Sequence, residues 1–413
     1  MNGIWGKSVS EKRMRCQKRG DGLGVFATDR RFLLSVFGFF GGGKMKKIVL
    51  ICVTSQNVVT FRSGLIKKLQ AEGCAVSVIA FDGDYAEEIR QMGVDFYCVN
   101  DKNRSTNPLK ILSLKGKYKK ILKEIAPDTV FTFMLKPNTF GVFAARAAGV
   151  EKIYSMVEGA GDAFIKNSFK WKIIRAVVCF LYRRAFRFSK TVFFLNGDDK
   201  KEFLARKLVK EEQCEVVHGI GVDLDKFAFQ PVKNAKNFLM IARMLKTKGV
   251  YEYCQCARRV KQKYPDAVFA YLGAEGDVTL ADIQEYIDDG SVTYLGTTKD
   301  VRPYLADCTA FVLPSYREGI PVAVMEAESV GRAIIAFDSV GCRDTVKDGY
   351  NGFLTERMNV DQLAEKCLWI IENPEKAVEM GQNSRKFAEE NFDSKQINQK
   401  VFDVLEKDND CLL

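Results

Sequence analysis

From Lys47 onward the chain repeats one unit: a short β-branched run, a turn, then a stretch of helical period. KIVLICVT precedes a helical stretch near 60–72, and CAVSVIAF precedes one near 84–92. DTVFTF (128–133) leads into PNTFGVFAARAAG, with Pro137 near a helix start and Gly149 at its end. KIYSMV, TVFFLN and CEVVHG continue the series. The pattern pauses at 218–237, where Gly219, Gly221 and Pro231 mark a linker. A second series follows: FLMIA, a helix over about 249–263, AVFAYLG, VTYLG, TAFVLPS, a helix after Pro321, and AIIAFD. Residues 360–408 read as helical and amphipathic. Strands alternating with helices dictate a parallel sheet covered on both faces. The expectation is therefore an α/β chain of two doubly wound halves joined by a hinge. Ligands of such sheets bind at the carboxyl ends of the strands, and here those ends can face each other across a cleft.

At 413 residues the chain is too long for one compact core, which agrees with two halves. The expected boundaries are 45–220 for the first, 221–236 for the hinge and 237–394 for the second, with 395–413 returning to complete the first. Residues 1–44 look unlike the rest. They carry nine Lys/Arg against three acids, which is +6 of the formal +11. Met45 reads as the physiological start, and 1–44 as a disordered extension, an N-terminal membrane anchor being the alternative. The remainder is only mildly basic, so no nucleic-acid partner is expected. The twelve cysteines show no metal spacing and read as small buried hydrophobes of a reducing compartment. No segment approaches 18 uninterrupted apolar residues, so no transmembrane helix is expected.

The chemistry concentrates in SYREGIPVAVMEAESVG (315–331). TAFVLPS reads as a buried strand and YREGIP as the loop at its carboxyl end. Pro321 suits the first helical position, where a missing N–H costs nothing. The helix then turns free N–H groups and a positive dipole end to the cleft, which suits an anion. A diphosphate needs more positive charge, and ARMLKTKG (242–249) supplies Arg243 and Lys248 at another strand end. Arg243 fits phosphate as a fork and Lys248 as a point charge. With these cations a leaving diphosphate needs no metal. Glu318 and Glu326 are then available to accept hydrogen bonds from sugar hydroxyls. Taken singly, each acid also fits a solvated helix-start carboxylate.

The stretch REGIPVAVMEAESVGRAIIAFDSVGCRDTVKDGYNGFL resembles the signature of family-four retaining glycosyltransferases of the GT-B fold. That signature has Glu, seven residues, Glu, matched by Glu318 and Glu326, with an upstream Arg and Lys-Gly matched by Arg243, Lys248 and Gly249. LKPNTFGVFAARAAGV and VEGAGDAF resemble the branch acting on lipid-linked sugars in bacterial polysaccharide assembly. The resemblance implies two Rossmann-like domains facing a central cleft. It implies a nucleotide-sugar donor, UDP-hexose or UDP-N-acetylhexosamine, and a polyprenyl-diphosphate-linked acceptor, with no cofactor. Glu326 would hold ribose, Glu318 the donor sugar, and Arg243 with Lys248 the diphosphate, with Gly319, Ile320 and Pro321 also among the donor-binding residues. Backbone near Gly296 and Thr297 would meet the base.

The chain departs from many relatives in having one histidine, His218, at the hinge rather than in the first half. A histidine-based step therefore does not carry over, and positioning and electrostatics are left to do the catalysis. Glu158 and Asp162, in VEGAGDAF, are the nearest candidates for a base or acceptor ligand. Asp82 and Asp84, an Asp-x-Asp pair, are a weak metal signal set against this architecture. No Gly-x-Gly-x-x-Gly follows the first strand of either half, which disfavours a dinucleotide oxidoreductase. A sugar-nucleotide epimerase of the same fold and a catalytically silent assembly subunit are the alternatives. Finally, 166–190 holds eight Lys/Arg and no acid, with Trp171, Phe180, Tyr182 and Phe186 interleaved, and 109–123 holds six lysines. Both suggest peripheral binding to the inner face of an anionic membrane.

Overall fold

The computed structural model describes residues 45–100, 108–165, 168–233 and 236–407, without the side chains of 108–112 and 162. The expectation about 1–44 lies outside the described residues. From Met45 the chain forms one compact unit containing two parallel sheets. The first is built from β1 (Lys47–Ile51), β2 (Ala75–Ala80), β3 (Asp95–Cys98), β4 (Thr129–Phe133), β5 (Lys152–Val157), β6 (Thr191–Phe194) and β7 (Cys214–Val216). Its strand order is β3-β2-β1-β4-β5-β6-β7. The second uses β8 (Asn237–Ile241), β9 (Val268–Leu272), β10 (Thr293–Tyr294), β11 (Ala310–Leu313), β12 (Ala333–Phe337) and β13 (Gly352–Thr355). Its order is β10-β9-β8-β11-β12-β13.

In each sheet the order reverses once, between β1 and β4 and between β8 and β11. At such a reversal the flanking helices leave to opposite faces and open a crevice at the strand ends. The central strands justify their place by composition. AFVL of β11 and AIIAF of β12 are buried at every position. Fully burying side chains of this kind is worth about 1.5–3 kcal/mol each. That anchors the loops at the strand ends on rigid supports.

Several elements differ in detail from the sequence reading. β3 and β13 were not foreseen; DFYC and GFLT are short edge strands with little β-branched content. The stretch near 60–72 is two helices, Ser55–Phe61 and Ser63–Ala71, broken at Arg62. Pro137 opens a π-helical turn, Pro137–Gly141, before the helix Val142–Ala147. Pro321 is the residue before its helix, extended at φ −72° and ψ 115°, and the helix runs Val322–Val330. The last stretch is three helices: Val360–Glu372, Pro374–Asn391 and Ser394–Lys407. The last of these packs on Ser63–Ala71: Lys46 pairs with Glu406 at 2.6 Å, and Lys68 lies 5.1 Å over the Phe402 ring. The ten described cysteines are all free, and seven are buried.

Candidate active site

The loop after β11 carries Ser315, Glu318 and Pro321, and two other loops clamp it. From the β8 side, the Thr247 carbonyl accepts the N–H of Tyr316 at 2.9 Å and the Ser315 hydroxyl at 3.2 Å. From the β12 side, Ser339 Oγ donates to the Ser315 carbonyl at 2.7 Å, and Glu318 N–H donates to Val340 at 2.8 Å. Gly249 closes the first clamp. It is left-handed at φ 76°, and a Cβ there would stand 2.0 Å from the Pro314 carbonyl oxygen. Only glycine fits both demands.

Lys248 and Glu318 are brought together. Lys248 Nζ lies 2.5 Å from Glu318 Oε1, which also accepts the Ser315 hydroxyl at 2.6 Å. The pair is partly buried, with side chains 26% and 11% exposed. Its second oxygen, Oε2, has no recorded partner among the described residues, and an ammonium has three donors. Both groups therefore keep capacity for a ligand. Arg243, just past the end of β8, is exposed; its carbonyl accepts Leu245 N–H at 2.8 Å, but its guanidinium makes no hydrogen bond or ion pair among the described residues. A guanidinium left unpaired beside a crevice is available to an anion.

Behind Pro321, the helix Val322–Val330 begins with few side-chain aids. The Pro321 carbonyl accepts the N–H groups of Val324 and Met325 at 3.1 and 3.2 Å. Glu326 is partly buried, and burial pushes its carboxyl up to about 7, with Lys226 pulling the other way. Ile320 is buried, against the turn at Gly219. Gly296 is left-handed at φ 74°, and its carbonyl accepts Gly273 N–H at 2.8 Å. Thr297 beside it is exposed. Both follow the edge strand β10, and among the described residues neither hydrogen-bonds to Lys248 or Glu318.

The first half meets this loop through backbone. A Cβ on Gly319 would stand 2.4 Å from the Glu158 carbonyl oxygen, so the two loops touch. The Glu158 carboxylate is not free. It forms an ion pair with Arg62, which is 3% exposed and stacks 4.2 Å over Phe133. Asp162 opens the short helix Asp162–Ile165, and its side chain lies outside the described residues. Asp82 is occupied by Ser55, whose N–H donates at 3.0 Å and whose hydroxyl also donates. His218 is exposed, with φ 48°. Among the described residues no group of three or more His, Cys, Asp or Glu could hold a metal ion.

The sequence reading missed four residues around this loop. Ser315 fixes Glu318; its spacing of three was the available signal. Arg62 offered none, since a buried arginine between two helices has no sequence mark. Arg317 and Asp199 form an ion pair between the halves, and Arg317 also reaches Glu202 at 2.7 Å. Arg317 was visible as the basic neighbour of Glu318, but its partner lies 118 residues away.

Comparison with known proteins follows the same division. Residues 222–387 match the family model "Glycosyl transferases group 1", and 47–196 match "Glycosyl transferase 4-like". The N,N'-diacetylbacillosaminyl-diphospho-undecaprenol alpha-1,3-N-acetylgalactosaminyltransferase of Campylobacter jejuni is 31% identical, over 79% of this chain and 90% of its own length. The UDP-Gal:alpha-D-GlcNAc-diphosphoundecaprenol alpha-1,3-galactosyltransferase of Escherichia coli is 28% identical, over 62% and 69%. Among solved structures, Anabaena HepE in complex with UDP-glucose superposes with a TM-score of 0.73 at 19% identity, covering 87% of this chain and 99% of that one. That likeness fixes the GT-B architecture. The chain belongs to the glycosyltransferases of the group 1 and 4-like family, whose two models divide it between its two sheets.

Proposed function

We propose that the protein transfers a hexose or N-acetylhexosamine from a UDP-sugar to a polyprenyl-diphosphate-linked saccharide, with retention and without a metal ion, in bacterial surface glycan assembly. The observation that carries this is the Lys248–Glu318 pair, fixed by Ser315 and flanked by an unpaired Arg243 at the reversal of the second sheet. The names of both relatives give an undecaprenyl-diphosphate acceptor and an α linkage. From an α-configured nucleotide sugar, an α product means retention.

The roles follow from charge. Arg243 and the spare donors of Lys248 take the diphosphate, each such charge-assisted bond contributing about 1.5–3 kcal/mol. The free N–H groups and dipole of the helix Val322–Val330 add to this. Glu318 Oε2 accepts a hydroxyl of the donor sugar, Glu326 accepts from ribose, and Gly296 with Thr297 borders the base. The acceptor hydroxyl attacks the anomeric carbon on the face of the leaving group. The bond from that carbon to the phosphate oxygen breaks, and the acceptor proton passes to that oxygen. Stabilisation of the departing UDP by fixed cations is the main catalytic device. The backbone of the Glu158 loop, braced by the Arg62–Glu158 ion pair beside Gly319, borders the acceptor together with Asp162.

The acceptor's lipid implies a membrane surface. No described helix is long and apolar enough to cross a membrane. The helix Phe169–Ala185 instead exposes Phe169, Ile173, Val177 and Phe180, each more than half accessible, at spacings of one face. Lys170, Lys172, Arg183 and Arg184 are exposed around them. This is the pattern of a helix lying in an anionic interface. Of the aromatics singled out in the sequence, only Phe180 serves this face. Tyr182 and Phe186 are buried and stacked at 4.9 Å, and Trp171 is half-buried against the same core. Of the described side chains of the helix Pro108–Ile125, Leu114, Tyr118 and Leu122 are buried in the core, and Lys117 donates to the Val99 carbonyl. These features support peripheral attachment to an anionic membrane surface, and the proposal places it at the cytoplasmic face of the cell membrane.

The test incubates the protein with labelled UDP-sugars and an undecaprenyl-diphosphate-linked saccharide. Sugar found on the lipid supports the proposal. Epimerised nucleotide sugar, or no reaction with any UDP-sugar, refutes it.

A further inference from the structure

The helix Gly197–Ala205 follows β6 in the first half, yet its first turns are spent on the donor-side loop of the second. Asn196 caps it, its Oδ1 accepting Asp199 N–H at 2.7 Å, and its Nδ2 donates to the Gly319 carbonyl at 2.6 Å. Arg317 pairs with Asp199 and reaches Glu202 at 2.7 Å. Arg343, beside the clamp from the β12 side, pairs with Asp198 at 2.9 Å and with Asp338 at 2.6 Å. Asn196 and Asp199 are fully buried, and the Arg317 side chain is 13% exposed. The residues on either side of Glu318 are therefore both held by the other half.

Surface ion pairs contribute little, but breaking a buried one leaves an uncompensated charge. A buried Asp199, held by Arg317 across the two halves and by Asn196 Nδ2 at 3.3 Å, is costly to keep unless it fixes a geometry. Both carboxylate partners of Arg317 lie in the first half, so its charge is spent across the boundary rather than within its own half. We infer that Asn196 and Asp199 are positioning residues that lock the Arg317–Gly319 segment against the first half and so set Glu318 for the donor sugar. The lock makes the first half part of the donor-sugar site: the nucleotide is held by groups of the second half, and contacts from the first orient Glu318. This rests on the proposed transferase reading for its kinetic consequence, but not for the lock itself.

The experiment compares the full-length chain with Asp199→Asn, Arg317→Met and the double variant by three measurements. Hydrogen exchange over 316–322 reads the lock without any turnover; faster exchange in each variant is expected, and wild-type protection in all of them overturns the inference. UDP titration is expected to change by less than about threefold while kcat for transfer falls about 10- to 100-fold, the range of a displaced catalytic group. A loss of UDP affinity equal to the loss of kcat overturns it, because damage would then lie in the nucleotide site. The double variant is expected to be no slower than the worse single one, and additive losses overturn the coupling. Because Asp199 is buried and its variant risks misfolding, Glu202→Gln removes the more accessible arm, with an expected kcat loss of about threefold. If wild-type protein transfers no sugar while exchange still rises in the variants, the transferase proposal fails and the lock stands.

Discussion

The two halves share an architecture but spend their loops differently. In the second, the loops after β8, β11 and β12 converge on one carboxylate, and the groups that hold it come from within 70 residues of it. In the first, the loop after β5 offers its backbone to Gly319, while its acid, Glu158, is already committed to the buried Arg62. On the proposed function, one half presents charged side chains to a ligand with a fixed chemistry, a diphosphate, and the other a shaped, internally neutralised surface suited to an acceptor that varies. The lesson is that a donor site needs particular ions at particular strand ends, whereas an acceptor site needs only a supported contour.

Breaking the second half's cluster should have the largest effect. Glu318→Ala removes the sugar contact and leaves Lys248 unpaired, and a loss of about 10²–10³ in kcat is expected, as for other groups acting on the transition state. A steady-state assay checks this; a loss confined to KM would show that Glu318 binds without orienting. Breaking the first half's internal pair should act on stability rather than chemistry. Glu158→Gln leaves Arg62 as an uncompensated buried charge, for which about 3–5 kcal/mol of destabilisation is expected. Denaturant unfolding measures it. An unchanged midpoint, with activity lost, would instead make Glu158 a group acting directly on the acceptor.

A smaller effect concerns Glu326, whose carboxyl is raised from 4.5 to about 7 by burial. A raised carboxyl favours the protonated folded state. Ligand-free stability should therefore be highest below about 4.5, fall as the pH rises to about 7, and stay level above it. The group is only partly buried, so the fall is expected to be about 1–3 kcal/mol. Glu326→Gln should flatten that window and gain stability at pH 8 while weakening UDP binding. Melting curves across pH report it, and a variant with the wild-type pH profile would remove Glu326 from the account. The smallest effect belongs to the outer face of the first half. Ile173→Glu with Phe180→Glu should abolish flotation with anionic liposomes yet change turnover on a short-chain soluble acceptor by less than about twofold. Equal flotation would show that the helix Phe169–Ala185 is not the membrane face.

The alternation of runs was enough to read both sheets because central strands declare themselves by composition. Edge strands do not: β3 and β13 rest on pairing to one neighbour, and DFYC and GFLT carry no such mark. The place of Lys248 and Glu318 on the loops after β8 and β11 was legible because the apolar runs mark where those strands stop. That they contact each other was not, since 70 residues separate them. The same holds for Glu158. Its acidity was plain in VEGAGDAF, but the arginine that neutralises it sits at a helix break in a different element, and burial is invisible in one dimension.

The central claim is that fixed cations of the second half carry the diphosphate. A UDP titration by calorimetry, with chelator present throughout, tests it most directly. The account predicts binding that persists in chelator and weakens about 10- to 100-fold in Arg243→Ala, the range of one charge-assisted phosphate contact. Binding that disappears in chelator and returns with manganese, or that is indifferent to Arg243→Ala, would contradict it.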